Sequence, residues 1–170
     1  MTTISHHTTP IILAQALDAK TSATSVGAAI VPLGLVVDTN DGGRAMYVQA
    51  MSAISTANAV VIAEDHRVSN LTTTNAGTIS KQVAWAQTSI ASSTFAWVQL
   101  SGRPIGKKAA NCQDRVILFT TATPGVVDDV TVSEALIAGV VSKSSSTTAT
   151  VGTLLVGPQG AFIHPHANPA

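Results

Sequence analysis

Apolar and polar positions along this chain alternate in short runs, and each run is cut off by a cluster of Gly, Pro, Asn, Asp, Ser or Thr. A two-residue period marks strands, because successive side chains leave a pleated backbone on opposite faces. The clearest instance is Leu35–Asp38, then Thr39-Asn40-Asp41-Gly42-Gly43, then Arg44–Ala50. Asn, Asp and Gly tolerate the positive φ of tight turns, which predicts two strands joined by a hairpin. Val60–Ala63 predicts a further strand, followed by a surface turn at Glu64-Asp65-His66-Arg67. Val68–Gly77 reads as a loop or edge strand, and Ile79–Ala91, with Val83, Trp85 and Gln87 in phase, as a strand. Beyond these come Val116–Thr120, a type II turn at Thr123-Pro124-Gly125, the apolar stretches of 132–142, and Ala149–Val156 as the last strand.

Thr94–Gly106 occupies the centre of the pattern. Phe95, Trp97 and Gln99 share one face of an extended chain and Ala96, Val98 and Leu100 the other, so both faces are largely apolar. A strand of that kind belongs inside a sandwich or barrel, or against a neighbouring subunit. It is expected to pair with Ile79–Ala91 across Ser92-Ser93-Thr94. Ser101-Gly102-Arg103-Pro104 reads as a turn, with a return strand from Ile105.

The ends differ from the middle. Residues 1–25 place the apolar block Pro10–Leu17 between Thr- and Ser-rich flanks. A short helix over Ile11–Lys20 is one reading. The other is an extended arm that docks Ile11, Ile12 and Leu13 on a neighbour, which the β preference of Ile-Ile and the poor helix propensity of Thr favour. The expected organisation is an N-terminal arm at 1–25, a β domain at 26–158 and a C-terminal tail at 159–170. Short strands punctuated by turns predict an all-β, single-domain β-sandwich or β-barrel, jelly-roll or tulip-like.

Composition adds a constraint on the surface. Of the 170 residues only 11% are charged while 45% are hydrophobic, and nine Lys plus Arg balance nine Asp plus Glu. Net charge sustains solubility, so a neutral, charge-poor surface is expected to be covered by other protein. The balance argues against a nucleic-acid partner, which calls for a basic stripe. No apolar run is long enough for a membrane helix, and no basic-then-apolar leader opens the chain. The single cysteine, Cys112, fits a reducing compartment, so synthesis in a cytoplasm is expected.

Candidate chemistry is thin. Gly102-Arg103-Pro104-Ile105-Gly106-Lys107-Lys108 has glycines too close together for a phosphate loop and lacks the Ser or Thr after the lysine. His6-His7 and His164-Pro165-His166 could ligate a metal, but neither pair has Cys, Asp or Glu nearby in sequence. Glu64-Asp65 and Asp128-Asp129 read as turn residues, since adjacent residues on a strand point oppositely. Cys112 with His66 could be drawn as a thiol and base, yet a motif-free cysteine is more often a small buried apolar residue. No enzyme activity, cofactor or metal is expected.

Taken together, Pro32–Val37, Asp41–Ala50, Ala96–Gly102, Thr120–Asp129 and Ile137–Val141 give a layout that resembles the capsid decoration, or cement, proteins of tailed bacteriophages. The resemblance spans roughly residues 32–156 and leaves the N-terminal segment and the His-Pro-His tail unplaced. It implies a β-rich homotrimer that binds the major capsid protein on the outer surface of the phage head at capsomer junctions and stabilises the shell. Site residues expected on that reading are Ile11, Ile12 and Leu13 for arm docking and Trp97 for a core or trimer contact. The alternative is a virion surface adhesin or glycan-binding module in which Trp85 or Trp97 offers a stacking platform.

Overall fold

The computed structural model describes residues 29, 31–39, 42–76, 81–130 and 135–164. The arm expected at 1–25, with Ile11, Ile12 and Leu13, lies outside them, as does the tail beyond His164. Among the described residues there are twelve strands: β1 Val36–Asp38, β2 Arg44–Ala50, β3 Ala59–Ile62, β4 Arg67–Asn70, β5 Gln82–Ala86, β6 Phe95–Ser101, β7 Ile105–Lys108, β8 Ile117–Thr120, β9 Val126–Asp128, β10 Leu136–Ser142, β11 Thr150–Val156 and β12 Ala161–His164. A single helical turn, Thr73–Ala76, interrupts them. The all-β expectation holds, and the barrel is the form it takes.

The strands close two small rings. In the first, β2 pairs with β6, β6 with β5, β5 with β3, β3 with β4, and β4 returns to β2 in parallel. The residue alternation fills it: Met46 and Val48 of β2, Val60 of β3, Ala84 of β5 and Val98 of β6 all point into one cluster. Barrel diameter grows with strand number, so a ring of five strands leaves room for little more than Ala and Val at many inward positions. The chain's small-residue composition is thus a packing requirement. Ile54 and Ile90, held by mutual backbone hydrogen bonds of 2.9 and 2.8 Å, add bulk to the same cluster.

In the second ring β10 pairs with β11, β11 with β7, β7 with β9 in parallel, β9 with β8, and β8 with β10. Its core contains Leu118, Val127, Ile137 and Leu154, and extends to Val61, Val83 and Trp85, which leave the outer face of the first ring. Each fully buried Val, Leu or Ile stabilises by about 1.5–3 kcal/mol, and here one cluster draws on both rings.

β12 joins the rings along the sheet. It takes the part of the β5 edge that β6 does not use, through Ala161↔Val83 and Phe162↔Gln82. On its other side it takes the first half of the β10 edge, through Leu136↔His164 to Ala138↔Phe162, and β11 takes the second half from Val140. β10 changes partner at a bulge between Ile137 and Val141. Gly139 sits in that bulge at φ +85, where a Cβ would lie 2.5 Å from the Gly160 carbonyl oxygen. Only glycine combines that backbone conformation with that closeness. A bridge between Gly102 and Val156 completes the waist, with backbone hydrogen bonds of 3.1 and 2.9 Å.

Several local expectations change. The β1–β2 hairpin is present in register, Val36↔Met46 to Asp38↔Arg44. The start of the stretch read as a loop or edge strand, Val68–Asn70, belongs to a true ring strand, β4, paired on both edges. β5 and β6 do pair, but only through Trp85↔Gln99 and Ala86↔Val98, with a long connection between them. The strand from Ile105 does not return along β6. It pairs with β11 and β9, so Ser101–Pro104 carries the chain out of one ring and into the other. The tail expected from 159 contributes β12 at Ala161–His164, because Ala161 and Ile163 alternate inward while Phe162 and His164 face out.

Candidate functional site

A buried polar group built on a lysine lies inside the second ring. The β7 alternation runs against hydropathy: Ile105 is exposed, whereas Lys108 is buried. Lys108 Nζ donates to Ser142 Oγ at 3.1 Å, to Ser144 Oγ at 3.0 Å and to the Ser144 carbonyl. Three acceptors match the three donors of an ammonium group, which is what makes the burial tolerable. Cys112 is also fully buried, and its Sγ lies within 4.8 Å of carboxylate oxygens of Asp128 and Asp129.

This group has the residue types of a nucleophile or a metal site but not the electrostatics. Burial pushes the Cys112 thiol above its ordinary range, the Asp129 carboxylate adds to the effect, and the opposing influence of Lys108 does not reverse it. The thiol form is neither nucleophile nor ligand. Burial also raises the Asp128 carboxyl, opposed by the Asp129 backbone N–H that donates to it and reinforced by the Asp129 side chain. The Asp129 Oδ2 atom accepts from the Gln113 N–H at 3.0 Å and Asp128 Oδ1 accepts from the Asp129 N–H at 2.8 Å. The first bond fixes the 109–115 segment to the end of β9 and the second holds the local geometry of the two carboxylates, which are structural roles.

The tryptophans are both internal. Trp85 is 0% exposed and plugs the junction between the rings. Trp97 is 9% exposed and packs with Tyr47, ring centroids 5.2 Å apart at 55°, in a third cluster with Val37, Ala45 and Phe95 on the outside of the first ring. Val31 and Leu33 pack against that cluster. Trp97 is therefore a core residue of its own subunit. Neither indole face is open to a sugar, and the stacking platform expected on the glycan reading fails on burial.

The exposed apolar side chains form the other candidate. Ile117, Val141 and Leu155 stand opposite one another on adjacent strands β8, β10 and β11. Ile117 is 55% exposed and Leu155 40%, with Val141 half-buried between them. Beside Leu155 a shallow cleft of about 480 Å³ runs along the waist, lined by Asp38, Arg44, Ser101, Arg103 and Pro158. Arg44 is not free in it, since its guanidinium donates to the Pro158 carbonyl.

The remaining sequence candidates do not converge. His66 sits in the exposed 63–66 turn against Gly34, while Cys112 is in the second core. Glu64 and Asp65 are exposed turn residues, as expected. His164 closes β12 opposite Leu136, and His6, His7 and His166 lie outside the described residues. The Gly102–Lys108 stretch opens no helix and leads into β7. Lys108 and the Ile117–Val141–Leu155 row were missed because a Lys-Lys pair and three unremarkable aliphatics acquire meaning only from register.

No family model matches the sequence, and no curated protein matches it. Among solved structures the chain is similar to the head fibre gp8.5 N base of bacteriophage phi29, at 12% identity and a TM-score of 0.49, over 76% of this chain and 100% of that one.

Proposed function

We propose that this chain is a structural protein of a virion, a capsid decoration protein that binds the outer surface of a phage head and ties neighbouring capsid subunits together. The observation that carries the reading is the exposed Ile117–Val141–Leu155 row on a chain with only 11% charged residues and no net charge. Such a surface favours burial against protein. Two of the stretches that carry the resemblance to cement proteins, Arg44–Ala50 and Ala96–Gly102, build β2 and β6 of the first ring and the entry to the waist. Its partners are the major capsid protein and further copies of itself in a homotrimer, with Ile11, Ile12 and Leu13 as docking residues of the arm. Many weak contacts per shell then add by avidity.

Purified particles test this directly. A band approaching the major capsid protein in intensity is expected, and heads stripped of the chain should break at lower temperature. A few copies per particle would instead assign it to a tail or fibre.

A further inference from the structure

Ring closure leaves very little backbone free. Among the described residues every strand except β1 is paired on both edges, and β1 is paired on one, to β2. Leu35 O accepts from the Tyr47 N–H at 2.9 Å and the Thr39 N–H donates to Gly43 O at 2.9 Å. Alternation along an antiparallel strand then aims the N–H and C=O groups of Val36 and Asp38 the other way, into the open edge. Leu35 and Val36 are exposed beside it. Such an edge is a template for an added strand.

We propose that β1 accepts the Ile11–Leu13 segment of a second copy of this chain as an added strand. The segment is apolar on both faces, no charge occurs between Pro10 and Leu17, and β1 is apolar up to Asp38, so either phase of pairing is compatible. About 16 residues separate Leu13 from Ala29, a reach of roughly 50 Å when extended. A second copy is favoured over the same chain by the approach to β1. Val31 and Leu33 pack on the Tyr47–Trp97 cluster, and the Gly34 N–H donates to Tyr47 O at 2.8 Å. The chain thus arrives across the outer face of β2 and β6 and not alongside the free edge. An arm given to the next copy closes naturally into a cyclic oligomer. The inference rests on residues 1–25 being an arm but not on the virion reading, and it is tested without capsids.

Hydrogen exchange on the full chain, with light scattering on the same samples, is the measurement. The peptide over residues 34–40 should exchange at least about tenfold more slowly at concentrations where the chain is oligomeric than where it is monomeric. Deleting residues 1–20, or Ile12→Asp, should remove both the protection and the oligomer. Val36→Pro, which removes a backbone N–H from the accepting edge, should do the same. Mixing the 1–20 deletion, which keeps the β1 edge, with V36P, which keeps the arm, should restore association that neither shows alone. Protection that persists in a monomer would assign the edge to the chain's own arm and overturn the proposal. So would oligomers indifferent to the deletion, or a mixture that stays monomeric.

Discussion

The indole of Trp85, on β5 of the first ring, lies against the bare Cα of Gly106, on β7 of the second. A Cβ at that glycine would fall 2.9 Å from Trp85 Cδ1 and Nε1 and 2.5 Å from Leu154 Cδ1. The two rings meet at a residue with no side chain because a tryptophan from the other ring occupies the place a side chain would take. Gly106→Ala should destabilise the fold by about 1–3 kcal/mol, the usual cost of overpacking a tight core. Urea denaturation would measure it, and an unchanged midpoint would contradict this account of the junction.

Trp97 is packed inside its own subunit. Trp97→Ala should cost about 3–5 kcal/mol of folding stability, as expected for a large aromatic removed from a core. The loss should be the same at protein concentrations where the chain is monomeric and where it is associated. A stability loss seen only in the associated form would move Trp97 to an interface.

Ile117 and Leu155 make the opposite prediction. Replacing either with Lys should change unfolding stability by no more than about 0.5 kcal/mol, as for exposed positions generally. Binding to a partner surface should weaken by about tenfold or more, the effect of losing one buried anchor. Thermal melts and capsid-binding titrations read the two quantities separately.

Cys112 combines full burial with a thiol held above its ordinary range. Native protein should resist a disulfide reagent at neutral pH and react rapidly once unfolded in urea. Fast labelling of the native chain would mean that the 109–115 segment opens far more readily than the bonds from the Gln113 N–H to Asp129 and from the Arg115 N–H to the Ser142 carbonyl imply.

Asp128 gives a pH dependence of defined sign. Its folded carboxyl is raised, chiefly by burial. The folded chain therefore holds this proton more tightly than the unfolded chain does. The associated stability is full below the ordinary carboxylate range and is lost as pH rises through the raised folded value. At neutral pH the wild type carries that loss. Asp128→Asn, whose Oδ1 atom can still accept from the Asp129 N–H, should melt higher than wild type at pH 7. The difference should close at about pH 3, below the ordinary aspartate value.

Strand existence was legible wherever a local period met a turn signal. The Asn-Asp-Gly-Gly turn announced β1 and β2, and Pro124-Gly125 announced the step from β8 to β9. Strand partnership was not. Ile105–Lys108 looks like the return arm of a hairpin with β6, and nothing in its residues says that its neighbours are β11 and β9. Its phase is equally opaque, since hydropathy places Ile105 inside and Lys108 outside, and three distant hydroxyl and carbonyl acceptors reverse that. β12 was hidden because four residues between a Gly-Pro turn and a Pro-rich end look too short to be a strand. Of the candidate site, the aromatics were visible in the sequence, but their burial was decided by strand register.

The place of β12 also orders events in time. Each ring is built from a contiguous stretch of chain, whereas β12 binds one strand from each and is made after both. Both rings can therefore form while β5 and β10 still show bare edges, and the last strand slides into a slot already shaped for it. Until it does, the nascent protein carries two sticky edges, the ordinary starting point for misassembly between chains.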